Sequence, residues 1–219
     1  MEHSFEKSRI NFIGKTLLTM GFGLLITFVM AFLTPILFTE ISFPILTGAI
    51  IGELALVIYL SRRIQKLSVT SARIFFLVYA LLNGFTLSII FSSYNLSQVS
   101  LVFLATSATF FCSAMVGMTT KKDLSGLGQF LMMAVIGLLI MSVLQIFLPL
   151  EGLNFAVSIV GILVFSGLTA YDMQKIKMLH SQTFNINPED TQKFVIIAAL
   201  ELYLNFINIF LYFLRIAED

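Results

Sequence analysis

Charge is the scarcest commodity in this chain. Only 11% of its 219 residues are Asp, Glu, Lys or Arg, against 58% hydrophobic residues and a mean hydropathy of +0.97. Soluble domains carry about 25% charged residues, so a soluble fold would need polar surface that this chain does not possess. Facing lipid removes the shortage. From Ile74 to Thr120, and again from Leu124 to Leu150, there is no acidic or basic residue and no histidine. The net charge of +1 offers no basic patch able to neutralise many phosphates, which excludes a nucleic-acid partner. Cys112 is the only cysteine, so no intrachain disulfide can form. No short apolar segment with a small-residue cleavage site precedes the first long run, which is therefore expected to be a retained helix.

What is present is a series of apolar runs: Leu17–Leu37, Pro44–Leu60, Ile74–Phe91, Val99–Met118, Leu127–Leu148, Leu153–Tyr171 and Phe194–Leu214. A hydrocarbon core needs about 20 helical residues, with a range of roughly 17–25, and each run meets that requirement. The second and third are short, so tilt or flanking residues must make up the difference. The connectors are brief except for one longer hydrophilic stretch. It holds His180 and the turn-forming string Asn185 to Asp190, whose Pro188 and Asp190 suit a helix start. The expectation is an all-α membrane protein with seven transmembrane helices, forming a single domain over residues 1–219.

Basic residues set the orientation. Lys7, Arg9 and Lys15 precede or begin the first run. Arg62, Arg63, Lys66 and Arg73 lie around the second connector, Lys121 and Lys122 in the fourth, and Lys175, Lys177 and Lys193 in the sixth. If seven helices alternate, these twelve share one side and Arg215 alone takes the other. One helix more or fewer would scatter them. The N-terminus is therefore expected in the cytoplasm and the C-terminus outside.

Three acids stand out within this apolar background: Glu53 in helix 2, Asp172 at the inner end of helix 6, and Glu201 in helix 7. A charge at the bilayer centre costs at least about 2.5–3.5 kcal/mol, so such residues usually face a bundle interior and mark an ion path or proton site. Each also has a blander reading. Asp172 stands three residues before Lys175, as a snorkelling surface acid would. Glu53, eight residues inside the basic boundary, also fits a neutral, hydrogen-bonded structural acid. Glu201, Asn205 and Asn208 share one helical face and also suit polar glue between helices. Gly48 and Gly52 form a small-residue pair beside Glu53, a pattern common in membrane helices. Thr120, Asp123 and Ser125 look like helix-start chemistry.

Three stretches together resemble the Bax inhibitor family, the transmembrane Bax inhibitor motif proteins. They are Ser107 to Phe111 continuing through Gly117 to Gly128, with its Thr-Thr-Lys-Lys-Asp-Leu-Ser linker, then Ala170 to Ile176 around Tyr171-Asp172, and Ala199 to Phe210 in helix 7. The resemblance implies six helices surrounding helix 7. It also implies a calcium leak regulated by pH through two aspartates that share a proton near the cytoplasmic side. One maps onto Asp172 and the other onto Asn205, which is a departure. An Asp–Asn pair has one titrating group and the amide donates to the carboxylate, so a proton switch here is expected to be weaker or to act at lower pH. Glu201, one turn before Asn205, offers a displaced second acid, with Asn205 bridging.

These residues point to a pH-modulated calcium or cation leak with Asp172, Glu201, Asn205 and Glu53 along the ion path, Asp172 and Glu201 making a weak calcium contact. Calcium enters as the permeant ion, and no cofactor is expected. The alternative is a non-conducting regulator that binds another membrane protein such as a membrane protease. An enzyme is disfavoured. Helix 7 has no lysine for a Schiff base, no Ser–His or paired-Asp protease motif lies within the spans, and His3 and His180 read as cytoplasmic. The expected location is the inner membrane of a bacterium.

Overall fold

The computed structural model describes residues 2–38, 41–147, 152–183 and 187–217. Seven long helices account for nearly all of them, and no strand occurs among the described residues. In order they are α1 (Glu2–Leu37), α2 (Phe43–Arg63), α3 (Val69–Ser92), α4 (Leu96–Thr119), α5 (Ser125–Phe147), α6 (Leu153–Thr183) and α7 (Pro188–Ile216). A single 3-10 turn, Ile64–Lys66, follows α2. All seven are long and apolar enough to cross a membrane.

Each predicted run lies inside one helix, save that Leu148 at the end of the fifth is outside the described residues, and two helices continue well beyond their apolar stretch. The polar first residues join α1, and α6 runs twelve residues past Tyr171. Hydropathy marks where the hydrocarbon would end, whereas a helix ends where its backbone groups find other partners. His180, expected in a hydrophilic loop, is therefore helical. It is also 3% exposed, with Nε2 3.1 Å from the Ser8 hydroxyl and its ring against Phe12. Of the expected turn string, Asn185 and Ile186 lie outside the described residues, as do Thr39, Glu40, Pro149, Leu150 and Glu151 of two other connectors. Pro188 opens α7 and Glu189 and Asp190 fill its first turn, where a missing N–H costs nothing and carboxylates favour the positive helix end.

The chain divides into two compact units, Met1–Asn95 with His180–Tyr203 and Leu96–Leu179 with Leu204–Asp219. In the first unit, α1 and α3 pack closely. The Thr27 hydroxyl lies 2.9 Å from the Ala80 carbonyl. At Gly84 any Cβ would collide with the Thr27 carbonyl and Met30, so only glycine permits this approach. Tyr203 of α7 stands edge-on against Phe76 and Tyr79 of α3. Matched contacts rise together along α1, α3 and α7, so these three run parallel.

In the second unit, Leu131, Leu138, Val157, Val164, Phe165, Leu168 and Ile209 form the core. Gly117 of α4 rests on the backbone of Ala170 in α6, and Gly128 of α5 lies under the Tyr171 ring. Phe206 packs at a steep tilt against Phe103 and Phe110. Among the spans α7 is the most enclosed, with 67% of its most apolar window buried, whereas α2 has 11% and α5 17%. The apolar side chains left outside, such as Leu18, Ile36, Phe130 and Leu163, are what a hydrocarbon solvent requires.

Candidate functional site

In the second unit α6 and α7 meet at a polar pair. Asp172 is 8% exposed and Asn205 5%. Asn205 Nδ2 donates to Asp172 Oδ2 at 2.7 Å, the short end of the N–H···O range. A snorkelling surface acid does not describe so buried a side chain. Because α6 continues past it to Thr183, Asp172 sits within the helix and not at its end. Its neighbours Met173 and Ile176 are buried and hold that face of α6 in the core.

Around this pair α6 also fixes the linker between α4 and α5. The Gln174 amide donates to the Lys122 carbonyl and accepts from the Leu124 N–H, both at 2.8 Å. Lys177 Nζ donates to the Met118 carbonyl near the end of α4 at 3.0 Å. Asp123 Oδ1 accepts from the Ser125 N–H at 2.9 Å, a local bond of the kind that opens helices. The Ser125 hydroxyl and amide hold the exposed Asp123 carboxyl below its ordinary value.

Glu53 belongs to the first unit. It is half-buried on α2 and reaches α3, where Thr86 Oγ1 donates to Oε1 at 2.7 Å and Asn83 Nδ2 to Oε2 at 3.3 Å. The chain of bonds goes on inward. Tyr203 of α7 donates its hydroxyl proton to Asn83 Oδ1 at 2.9 Å, and the hydroxyls of Tyr203 and Thr27 lie 2.6 Å apart. Four helices are thus tied to one acid. Asn83, Thr86, Tyr203 and Thr27 were not singled out by the sequence. The one available signal was Asn83, a lone amide in an apolar run.

Asp172 and Asn205 are therefore brought together, and Glu53 is held by its own donors in the other unit. Glu201 is half-buried on the α7 segment of the first unit, one turn before Asn205. Among the described residues no three His, Cys, Asp or Glu side chains cluster as a ligand set for a resident metal.

A seven-span helical membrane protein with an acid–amide pair buried between two of its helices is the class defined by this fold and site. The chain belongs to the Bax inhibitor family. The family described as "Inhibitor of apoptosis-promoting Bax1" matches residues 9–218. The inner membrane protein YbhL of Escherichia coli is 45% identical over 181 residues, covering 83% of this chain and 76% of that protein. An uncharacterized protein of Borreliella burgdorferi is 38% identical over 216 residues, covering 93% and 90%. A protein of Rickettsia prowazekii, RP147, is 35% identical over 216 residues, covering 97% and 91%.

Proposed function

We propose that this protein is a pH-modulated cation leak of a bacterial inner membrane, with calcium as the permeant ion and the Asp172–Asn205 pair as its proton-sensitive element. The observation that carries this reading is the buried 2.7 Å bond between Asn205 Nδ2 and Asp172 Oδ2. A carboxylate kept inside a membrane helix is costly and usually serves an ion or proton path. The membrane itself is the one named for the Escherichia coli relative.

The mechanism follows from the donor and acceptor inventory of the two groups. Ionised Asp172 accepts from the Asn205 N–H. Protonated Asp172 carries a donor, and the amide then presents its oxygen instead. One proton thus rewires the contact between α6 and α7, and a cation at the carboxylate competes with that proton. Calcium takes several oxygen ligands, and a leak needs only a weak site because the ion must leave again. Glu201 and Glu53 are the further acids whose removal tests the extent of the path.

The test is calcium flux into liposomes holding only this protein, from about pH 5 to about pH 8, across which a perturbed carboxyl can titrate. Wild-type flux should change with pH. Asp172→Asn, which offers an amide at every pH, should flatten the profile. Glu201→Gln should alter it if a second acid takes part. Tight vesicles at every pH, with the protein folded, would sink the leak and leave a non-conducting regulator of another membrane protein.

A further inference from the structure

The first unit carries a groove of about 330 Å³ on its outer face, lined by Leu18, Thr19 and Phe22 of α1, Arg73, Phe76 and Leu77 of α3, and Ile196 of α7. Its walls are apolar except for Thr19 and Arg73, and its volume falls at the low end of the roughly 300–1,000 Å³ typical of small-molecule sites. That suits a single hydrocarbon chain. Leu18 and Phe22 are 75% and 56% exposed, so the groove opens outward.

The charge at one end of the groove is the informative feature. The three walls run parallel, and each carries a base one helical turn before the side chains it contributes: Lys15 before Leu18 and Thr19, Arg73 before Phe76 and Leu77, and Lys193 before Ile196. The three bases therefore gather at the same end. Lys193 is taken up by Glu189 and Asp190, each at 3.5 Å. Arg73 donates at 2.8 Å to Gln192, a neutral amide, and among the described residues neither Arg73 nor Lys15 has a carboxylate within ion-pair distance. Both side chains are exposed. A guanidinium keeps spare donors in a planar fork that matches phosphate oxygens.

We propose that this groove is a binding site for one anionic phospholipid, its phosphate on Arg73 and Lys15 and one acyl chain along Leu18, Phe22, Leu77 and Ile196. Charge complementarity selects the headgroup, and the apolar walls hold the chain. Nothing in this assignment depends on whether the protein conducts ions.

Native mass spectrometry of the protein released from vesicles of phosphatidylglycerol and phosphatidylcholine in equal amounts, with identical chains, tests it. Phosphatidylglycerol should be retained preferentially, by about fivefold for each base. Arg73→Gln should lower the preference by about that factor, Lys15→Gln with Arg73→Gln should abolish it, and Arg73→Lys should keep most of it. Thr19→Phe, which fills the groove without touching charge, should reduce retention of phosphatidylglycerol. Equal retention of the two lipids by the wild type would mean annular lipid alone and overturn the site. So would a preference that survives the double replacement, or one that Thr19→Phe leaves intact. Displacement by oleate as effective as by phosphatidylglycerol would overturn the phospholipid assignment.

Discussion

Asp172 and Asn205 are nearly the same size but differ in what they can do with a proton. Asn205→Asp puts a second carboxyl within the 2.7 Å contact, and two carboxylates so close cannot both ionise easily. The pair then shares a proton, and calcium flux should depend more steeply on pH than in the wild type. An unchanged profile would mean that this pair does not sense protons. Asp123 makes a separate prediction. Its carboxyl is held below the ordinary aspartate value of about 3.8 by Ser125. A lowered folded value means that stability is gained above the unfolded value and lost as pH falls through the folded one. Asp123→Ala should therefore melt below the wild type at neutral pH. The gap between their melting temperatures should close on acidification below about pH 4. A gap that persists in acid would assign the loss to the backbone turn and not to the charge.

The helices themselves were legible because each apolar run falls within the roughly 17–25 residues that a bilayer core asks for, and no soluble alternative competes for such runs. Their ends were not. The hydrophilic residues after Tyr171 read as a loop, yet α6 keeps its hydrogen bonds to Thr183 and carries His180 into the packing beside Phe12. Nor could spacing alone show that Glu53 would find Asn83 and Thr86, thirty and more residues away. That pairing depends on how α2 and α3 are rotated about their axes, which hydropathy does not specify. Small residues proved informative only where backbones meet. Gly48 and Gly52 stand in open or ordinary surroundings, whereas Gly117 lies against the Ala170 carbonyl. Gly117→Ala must force α4 away from α6, since the obstacle is backbone and cannot rotate aside. Overpacking of this kind costs about 1–3 kcal/mol. A lower midpoint in thermal or denaturant unfolding in detergent is the expected outcome, while Gly48→Ala should be neutral. Equal effects at the two positions would contradict the close α4–α6 approach.

At the scale of the molecule, direction of travel links the charges to the packing. The division into two units was invisible in the sequence, since Asn95 sits in a connector as short as the others and the boundaries at Leu179 and Tyr203 fall inside α6 and α7. The alternation of helices was visible, and the contacts within each unit agree with it. Thr27 meets Ala80 and Gly84 while Phe32 meets Phe91, so α1 and α3 run the same way. In the second unit Gly117 meets Ala170 and Met118 meets Lys177, which makes α4 and α6 parallel. Gly128 meets Tyr171 and Leu131 meets Gly167, so α5 opposes α6. Odd and even helices thus run in opposite senses within each unit, as seven successive crossings demand. If the same alternation holds across all seven helices, twelve of thirteen Lys and Arg residues are expected on one side of the membrane, with Arg215 on the other. Basic flanks are retained in the cytoplasm, so the N-terminus and the inner end of α6 are expected there. Alkaline phosphatase fused after the last residue should be active and green fluorescent protein at the same place dark, while the fluorescent protein fused before the first helix should shine. The reverse pattern would place Asp172 towards the outer side, and its proton would then report the pH outside the cell.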